Sequence, residues 1–227
     1  MMRNEEGQTP AISLDPPIRR RFAAARLAMV MALAAVTVAA CALEQESNLP
    51  SDPHVAGLVH VCSSCHGFEG RSISPTFPRL AGQQEQYIEA QLHAFRDHTR
   101  ADPHAHTYMW GMAARLTDSD IKGLATYFSS RQPVPGTPGD PALMAAGKAI
   151  FDNGIESRSV PACQVCHGDK GQGADAVPRL AGQHPEYIEE QLTNFASNAR
   201  ANEIMHFNAQ NLSPQEIKEI ATYVGSL

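Results

Sequence analysis

Apolar side chains recur at helical spacing in two stretches of the chain that lie one hundred residues apart. Over residues 86–96 and again over 186–196, tyrosine, isoleucine, leucine and phenylalanine alternate with charged and polar residues at intervals of one, three and four positions. This period places the apolar side chains on one face of an α-helix. Each stretch is therefore predicted to be an amphipathic helix that packs on a core.

A second pair of helices is predicted over residues 118–128 and 213–224, where apolar residues again follow helical spacing. Ser213 precedes the later helix and Glu216 follows three residues on, which is the pattern of a capping box. An acidic version of this pattern precedes the earlier helix. No stretch shows the period-two alternation of a half-buried strand, so the chain is predicted to be all-α.

These helices belong to an internal repeat. The sequence Pro-Arg-Leu-Ala-Gly-Gln at 78–83 recurs at 178–183, and 14 of 24 positions are identical when the match is extended to residues 101 and 201. A second match, offset by 96 residues, aligns Leu-Ala-Thr-Tyr at 124–127 with Ile-Ala-Thr-Tyr at 220–223. A repeat of this kind indicates a duplicated domain.

A proline-rich segment separates the two copies. Residues 129–142 contain four prolines and two glycines, and proline fixes φ and removes a backbone donor. We therefore expect a first domain over 43–131, a semi-rigid extended linker over 132–141 and a second domain over 142–227. A simple tether is the alternative interpretation of the linker.

Each half contains the motif Cys-x-x-Cys-His, which is the spacing at which two thiols bind haem covalently and the histidine ligates its iron. The motif residues are Cys62, Cys65 and His66 in the first half and Cys163, Cys166 and His167 in the second. A zinc site would require a further ligand in each half. A redox dithiol would be expected beside a β-strand, which the pattern does not predict. Two covalently bound haem c groups are therefore expected.

The second axial ligand of each haem iron should recur in register. Met109 and Met205 each lie seven residues before the leucine that precedes the last helix of their half. A thioether suits ferrous haem, and Met/His coordination raises the reduction potential. Met112 matches an asparagine in this register, and Met144 lies far from both loops and is predicted to pack in the core.

Histidines close to the paired methionines are alternative candidates for the second axial ligand. His104 and His106 precede Met109, and His206 directly follows Met205, so His/His coordination is the alternative in either half. The second axial ligand occupies the sixth coordination position of the iron, and its presence decides the function. An iron with this position filled transfers electrons, whereas an iron with this position open can bind and transform a ligand.

The N-terminal 42 residues form an extension that resembles an export signal. Three arginines at 19–21 precede an apolar run over 27–40, and Cys41 follows the run directly. Three outcomes remain: acylation of Cys41 as in lipoproteins, cleavage after Ala42, or retention of the apolar stretch as an anchor. We expect a periplasmic protein, with acylated Cys41 as the predicted means of any membrane attachment.

The formal net charge of −6 at pH 7 narrows the class of partner. An acidic chain does not suit the phosphate backbone of nucleic acid. It suits a redox partner whose docking face is basic.

Taken together, these motifs resemble the dihaem cytochrome c4 family. The resemblance rests on the two Cys-x-x-Cys-His motifs, the doubled Pro-Arg-Leu-Ala-Gly-Gln, the paired methionines and the closing Ala-Thr-Tyr helices, and it covers residues 56–227. It implies two tandem class I cytochrome c domains related by a pseudo-twofold axis, each wrapped around one covalent haem. It also implies His66 with Met109 and His167 with Met205 as the axial ligands.

The function implied by the resemblance is periplasmic electron transfer rather than catalysis. Electrons would pass from a quinol-oxidising complex or a dehydrogenase to a terminal oxidase or reductase. Two alternatives remain at this stage. One is an electron-transfer subunit of a larger dehydrogenase, for example in flavin-linked sulfide or thiosulfate oxidation. The other is a dihaem peroxidase, which requires an iron that is open or can open.

Overall fold

Helices account for all the regular secondary structure in the computed structural model, which describes residues 49–227. The first half contains α1 (Pro53–His66), α2 (Glu85–Arg96), a π-helical turn (Ala105–Met109), α3 (Trp110–Ala113) and α4 (Asp118–Ser129). The second half contains α5 (Pro141–Asn153), α6 (Gln164–His167), α7 (Pro185–Ala196), α8 (Glu203–Ala209) and α9 (Pro214–Gly225). Two short 3₁₀ turns lie at Phe68–Gly70 and Glu156–Arg158.

The all-α prediction is confirmed for this part of the chain. Residues 49–227 form no strand, and their only β pairing consists of isolated bridges between Ile155 and Val160 and between Ala174 and Val177. No helix within the described range is long and apolar enough to cross a bilayer. The predicted signal segment over 1–42, with Cys41, lies outside the described residues.

Both closing helices begin at the predicted capping boxes. The Ser213 hydroxyl accepts from the backbone N–H of Glu216, whose carboxylate accepts from the backbone N–H of Ser213. Thr117 and Asp120 repeat the arrangement at the start of α4. Each box satisfies two backbone donors that a helix N-terminus leaves without partners.

The closing helix of each half packs against the first helix of that half at a glycine. In the second half α5 and α9 bury Phe151 and Val224, and a Cβ on Gly147 would lie 2.0 Å from the carbonyl oxygen of Glu219. In the first half the glycine is on the other helix, where a Cβ on Gly123 would lie 2.9 Å from a methyl carbon of Val55. The repeat therefore preserves the close helix crossing but not the helix that supplies the small residue.

The two halves differ in the helix that leads to the haem motif. In the first half α1 runs without interruption to His66. In the second half α5 ends at Asn153, and the chain reverses at Gly154, where φ is 68° and a Cβ would lie 2.2 Å from the carbonyl oxygen of Val160. Within the second motif only Gln164–His167 are helical, so a long helix leads to the haem motif in the first half alone.

The proline-rich segment lies along the end of α9. Residues 132–140 form no helix, and the backbone N–H of Thr137 donates to the carbonyl oxygen of Gly225 at 3.1 Å. A Cβ on Gly136 would lie 2.3 Å from the carbonyl carbon of Ser226. This close backbone packing fixes the segment to the second half and leaves little freedom for a loose tether.

Candidate haem sites and the junction between the halves

The four motif cysteines are free thiols in the described chain. Cys62 and Cys163 are half-buried, and burial raises the pKa of each thiol to about 11. Activated redox thiols show the opposite shift. No group of three or more His, Cys, Asp or Glu side chains within residues 49–227 is arranged to hold a metal ion.

The histidine of the first motif is held in one orientation. Its Nδ1 atom lies 2.9 Å from the carbonyl oxygen of Pro78. A carbonyl can only accept, so Nδ1 carries the proton and Nε2 keeps a free lone pair. Burial lowers the pKa of His66, which keeps the imidazole neutral at physiological pH.

The second half repeats this arrangement. Nδ1 of His167 lies 3.0 Å from the carbonyl oxygen of Pro178, and burial again lowers the pKa of the imidazole. In both halves the accepting carbonyl belongs to the proline that begins the repeated six-residue motif. A neutral imidazole whose second nitrogen is fixed by a carbonyl is the usual state of an iron-ligating histidine.

These donor sets fit a covalently bound haem in each half. Each set combines two free thiols with a buried neutral imidazole whose Nε2 is free to ligate. The thiols and the imidazole belong to the same motif, so attachment and axial ligation are brought together by a single short segment.

Met109 lies at the end of the π-helical turn and is half-buried. The ring of its neighbour Tyr108 contacts Phe77 with ring centroids 5.6 Å apart, and Phe77 lies edge-on to His66 at 6.1 Å. The turn that carries Met109 is thus connected to His66 through the ring of Phe77. Met112, by contrast, is 47 % exposed, and its exposure does not suit a ligand.

Met205 is half-buried within α8, whose first turn is capped by Asn202. The Asn202 side chain accepts from the backbone N–H of Met205 at 2.9 Å. Nδ1 of His206 lies 2.8 Å from the carbonyl oxygen of Phe195, which ties α8 to α7. The paired methionines therefore occupy matching places in sequence, but one lies on a π-helical turn and the other on an α-helix.

Two other histidines near Met109 lie close to other protein groups. Nδ1 of His104 lies 2.9 Å from a carboxylate oxygen of Glu190 in the other half. His106 lies edge-on to Trp110 with ring centroids 4.6 Å apart. The Met144 sulfur accepts from the backbone N–H of Gly139 beside the linker. Met144 is far along the chain from both Met109 and Met205.

A reciprocal pair of glutamines joins the two halves, and sequence reasoning gave neither of them a role. The Gln83 side chain accepts from the backbone N–H of Arg179 at 2.7 Å and donates to its carbonyl oxygen at 2.9 Å. Gln183 does the same with the backbone of Arg79, at 2.8 and 2.9 Å. The signal for this junction was their recurrence at the end of the repeated six-residue motif.

Two buried arginines form a second layer of the junction. The Oε1 atom of Gln91 accepts from both Arg100 and Arg200, and Oε1 of Gln191 also accepts from both. Each side-chain oxygen therefore bridges guanidinium groups from different halves. Together the two layers give the halves a pseudo-twofold relationship with many polar contacts between them.

Comparisons with known proteins agree with this description. The cytochrome c family model matches residues 56–132 and 144–227. Cytochrome c-552 of Acidithiobacillus ferridurans is 45% identical over 168 residues, covering 73% of each chain. Cytochrome c4 of Azotobacter vinelandii is 37% identical over 182 residues, covering 75% of this chain and 86% of its own.

A solved structure and a more distant relative complete the comparison. The cytochrome c4 structure from Acidithiobacillus ferrooxidans superposes with a TM-score of 0.70 at 44% identity, covering 73% of this chain and 98% of that one. The thiosulfate dehydrogenase electron acceptor of Thiomonas intermedia is 32% identical over 176 residues, covering 73% of this chain and 77% of its own.

Fold, donor sets and relatives define a dihaem electron-transfer protein rather than an enzyme, built from two cytochrome c domains that carry two covalently bound haem c groups. Both halves carry the repeated motifs, and the match to cytochrome c4 of Azotobacter vinelandii covers 75% of this chain and 86% of that one. These two facts identify the family. The chain belongs to the cytochrome c4 family.

Proposed function

We propose that both haem irons are six-coordinate, with His66 and Met109 in the first half and His167 and Met205 in the second. The haems would be attached through the cysteines of each motif, namely Cys62 and Cys65, and Cys163 and Cys166. The observation that carries the proposal is the Nδ1 hydrogen bond of each histidine to a proline carbonyl, which leaves Nε2 as the ligating nitrogen.

The paired methionines are the best candidates for the sixth position. Both are half-buried, and the Met109 loop contacts His66 through Phe77. Of the competing histidines, His104 lies beside the Glu190 carboxylate and His106 lies edge-on to the Trp110 ring. With both axial positions filled, haem supplies reversible one-electron chemistry without a site for substrate.

The protein would hold the two ligating imidazole rings in the same orientation in the oxidised and the reduced protein. The proline carbonyls fix the two imidazole rings, and burial keeps those rings neutral. A rigid, buried ligand set limits the rearrangement that accompanies gain or loss of an electron. An electron carrier requires such a rigid ligand set, whereas a peroxidase requires an iron that can open to bind peroxide.

We further propose a periplasmic carrier that accepts electrons from a quinol-oxidising complex or a dehydrogenase and passes them to a terminal oxidase or reductase. The family relationship supports this role. The net charge of −6 supports a partner with a basic docking face.

A narrower role is favoured by one relative. The chain is 32% identical to an electron acceptor of thiosulfate dehydrogenase, so service as the redox subunit of a dehydrogenase is the second candidate. Co-purification with a catalytic subunit, together with reduction by that subunit and its substrate, would favour this candidate over a free carrier.

The domain boundaries and the membrane attachment complete the proposal. We assign the first domain to 43–131, the linker to 132–141 and the second domain to 142–227. Acylation of Cys41 would anchor the protein, and cleavage after Ala42 would release it. Mass spectrometry of the mature N-terminus separates these outcomes.

The test of the carrier function is the reactivity of the reduced wild-type protein. Filled sixth positions predict that the reduced protein does not bind carbon monoxide and does not turn over peroxide. Ready binding of either ligand would contradict the proposal and favour the peroxidase alternative.

A further inference from the structure

One peptide group connects the axial histidine of the first half to a side chain of the second half. The carbonyl oxygen of Pro78 accepts from Nδ1 of His66 at 2.9 Å. The N–H of the same peptide group belongs to Arg79 and donates to Oε1 of Gln183 at 2.8 Å. The imidazole and the glutamine therefore lie at the two ends of a single amide.

The reverse connection is also present. The carbonyl oxygen of Pro178 accepts from Nδ1 of His167 at 3.0 Å, and the N–H of Arg179 donates to Oε1 of Gln83 at 2.7 Å. Each axial histidine thus reaches, through one peptide group, a glutamine that belongs to the opposite half.

The two glutamines are fixed in position and in amide orientation. Gln83 is 8% exposed and Gln183 is 6% exposed. Each side chain faces one backbone N–H and one carbonyl oxygen, so its oxygen must meet the N–H and its NH₂ must meet the carbonyl. Only one orientation of each amide satisfies both contacts.

Hydrogen bonds on the two ends of an amide reinforce each other. Donation by the N–H moves electron density toward the carbonyl oxygen, which then accepts more strongly, by an amount on the order of 10–30% per bond. A stronger acceptor draws the Nδ1 proton of the histidine and makes the imidazole a better electron donor to its metal. Better donation stabilises ferric iron relative to ferrous iron.

We propose that Gln183 and Gln83 are positioning residues that lower the reduction potential of the haem in the opposite half. Gln183 acts on the haem of the first motif through the Pro78–Arg79 peptide. Gln83 acts on the haem of the second motif through the Pro178–Arg179 peptide. The inference rests on the proposed axial roles of His66 and His167.

The consequence is that the junction between the halves sets both potentials. Any change that separates the halves removes both glutamine contacts at once, and the loss of these contacts by itself makes both irons easier to reduce. Each axial histidine is therefore connected to the opposite half by hydrogen bonds through one peptide group.

The test uses Gln183→Met and Gln83→Met, which keep side-chain length and remove both hydrogen bonds. Gln84→Met is the matched control, because Gln84 also donates across the junction, to the carbonyl oxygen of Gln172 at 2.9 Å, but contacts neither proline peptide. Potentials are measured by redox titration followed by NMR, which resolves the two haems.

Gln183→Met should shift the oxidised-to-reduced equilibrium of the first haem about two- to threefold toward the reduced form, or about 18–28 mV upward at 59 mV per tenfold change. The second haem should move less. Gln83→Met should show the converse, and Gln84→Met should move neither haem. Equal shifts of both haems in every variant, or no shift of the haem in the opposite half, would overturn the proposal.

Gln183→Glu separates tuning from packing and covers the case in which Gln183→Met does not fold. Glutamate keeps the accepting oxygen opposite the Arg79 N–H, so the potential of the first haem should not rise. A rise in this variant would contradict the proposal. Failure of the axial assignment itself is seen separately, since the wild-type protein would then lack the spectrum of Met/His haem.

Discussion

Asp102 and Arg100 form a buried ion pair, with Oδ1 of the carboxylate 2.7 Å from Nε of the guanidinium. Asp102 also accepts from the backbone N–H of Ala105, at the start of the turn that carries Met109. The matching position in the second half is Asn202, so Arg200 relies on glutamine and tyrosine oxygens. The junction therefore pairs two buried cations with one carboxylate.

Asp102→Asn should destabilise the protein by about 2 kcal/mol, because hydrogen bonds to charged groups contribute about 1.5–3 kcal/mol and the guanidinium remains buried. The measurement is guanidinium unfolding at neutral pH, followed by circular dichroism. Asn202→Asp is the control, since Asn202 is exposed and a new charge there should change the unfolding free energy little. Equal stability of wild type and Asp102→Asn would show that this ion pair contributes nothing.

Met109→Ala should lower the potential of the first haem and open its iron to carbon monoxide, while the second haem keeps its properties. The reason is that a thioether raises the potential and fills the sixth position. Met112→Ala is the matched control, because Met112 lies three residues away and is 47% exposed. The assignment of Met109 would be wrong if titration found both haems unaltered in Met109→Ala, or if Met112→Ala gave the same change.

Gly147→Ala should destabilise the second half by about 1–3 kcal/mol through overpacking. A Cβ at this position would lie 2.0 Å from the carbonyl oxygen of Glu219, so α5 and α9 would have to separate. Gly57→Ala is the control within α1, where nothing lies within 4 Å of the added carbon. Removal of a glycine from an open helical position should be neutral or stabilising, by up to about 1 kcal/mol. Similar unfolding curves for the two variants would refute the close crossing.

Asp120→Ala should cost about 1 kcal/mol at neutral pH, and this cost should shrink in acid. The hydrogen bond from the Thr117 backbone is the main reason why the pKa of Asp120 lies below its ordinary value of 3.8. The unfolded chain therefore binds the proton first, and the stabilisation present above pH 3.8 is lost as pH falls through the lower folded pKa. Unfolding free energies of both proteins between neutral pH and about pH 3 check this. A cost that stays constant over this range would contradict the role of the charge.

The sequence predicted the features whose signals are local, and the structure revealed those that depend on packing. Helical spacing and caps located α2, α4, α7 and α9, since these signals are local. By contrast, the break after Asn153 and the π-helical turn before Met109 depend on packing within each half.

The cross-junction contacts lay beyond sequence reasoning for a different reason. Gln83 and Gln183 meet backbone atoms that are 96 and 104 positions away along the chain. The repeat shows that both glutamines recur, but recurrence of a motif does not show that its two copies contact each other. The axial methionines remain predictions, which the repeat spacing and the burial of both side chains favour.

The central claim is that each chain carries two haems with histidine and methionine as axial ligands. The most direct measurement is the absorption spectrum of the ferric wild-type protein together with its covalently bound haem content. The account predicts two haems per chain and a methionine-to-iron charge-transfer band with the intensity of two Met-ligated irons. Absence of this band, with the low potentials of His/His coordination or with a single bound haem, would contradict it.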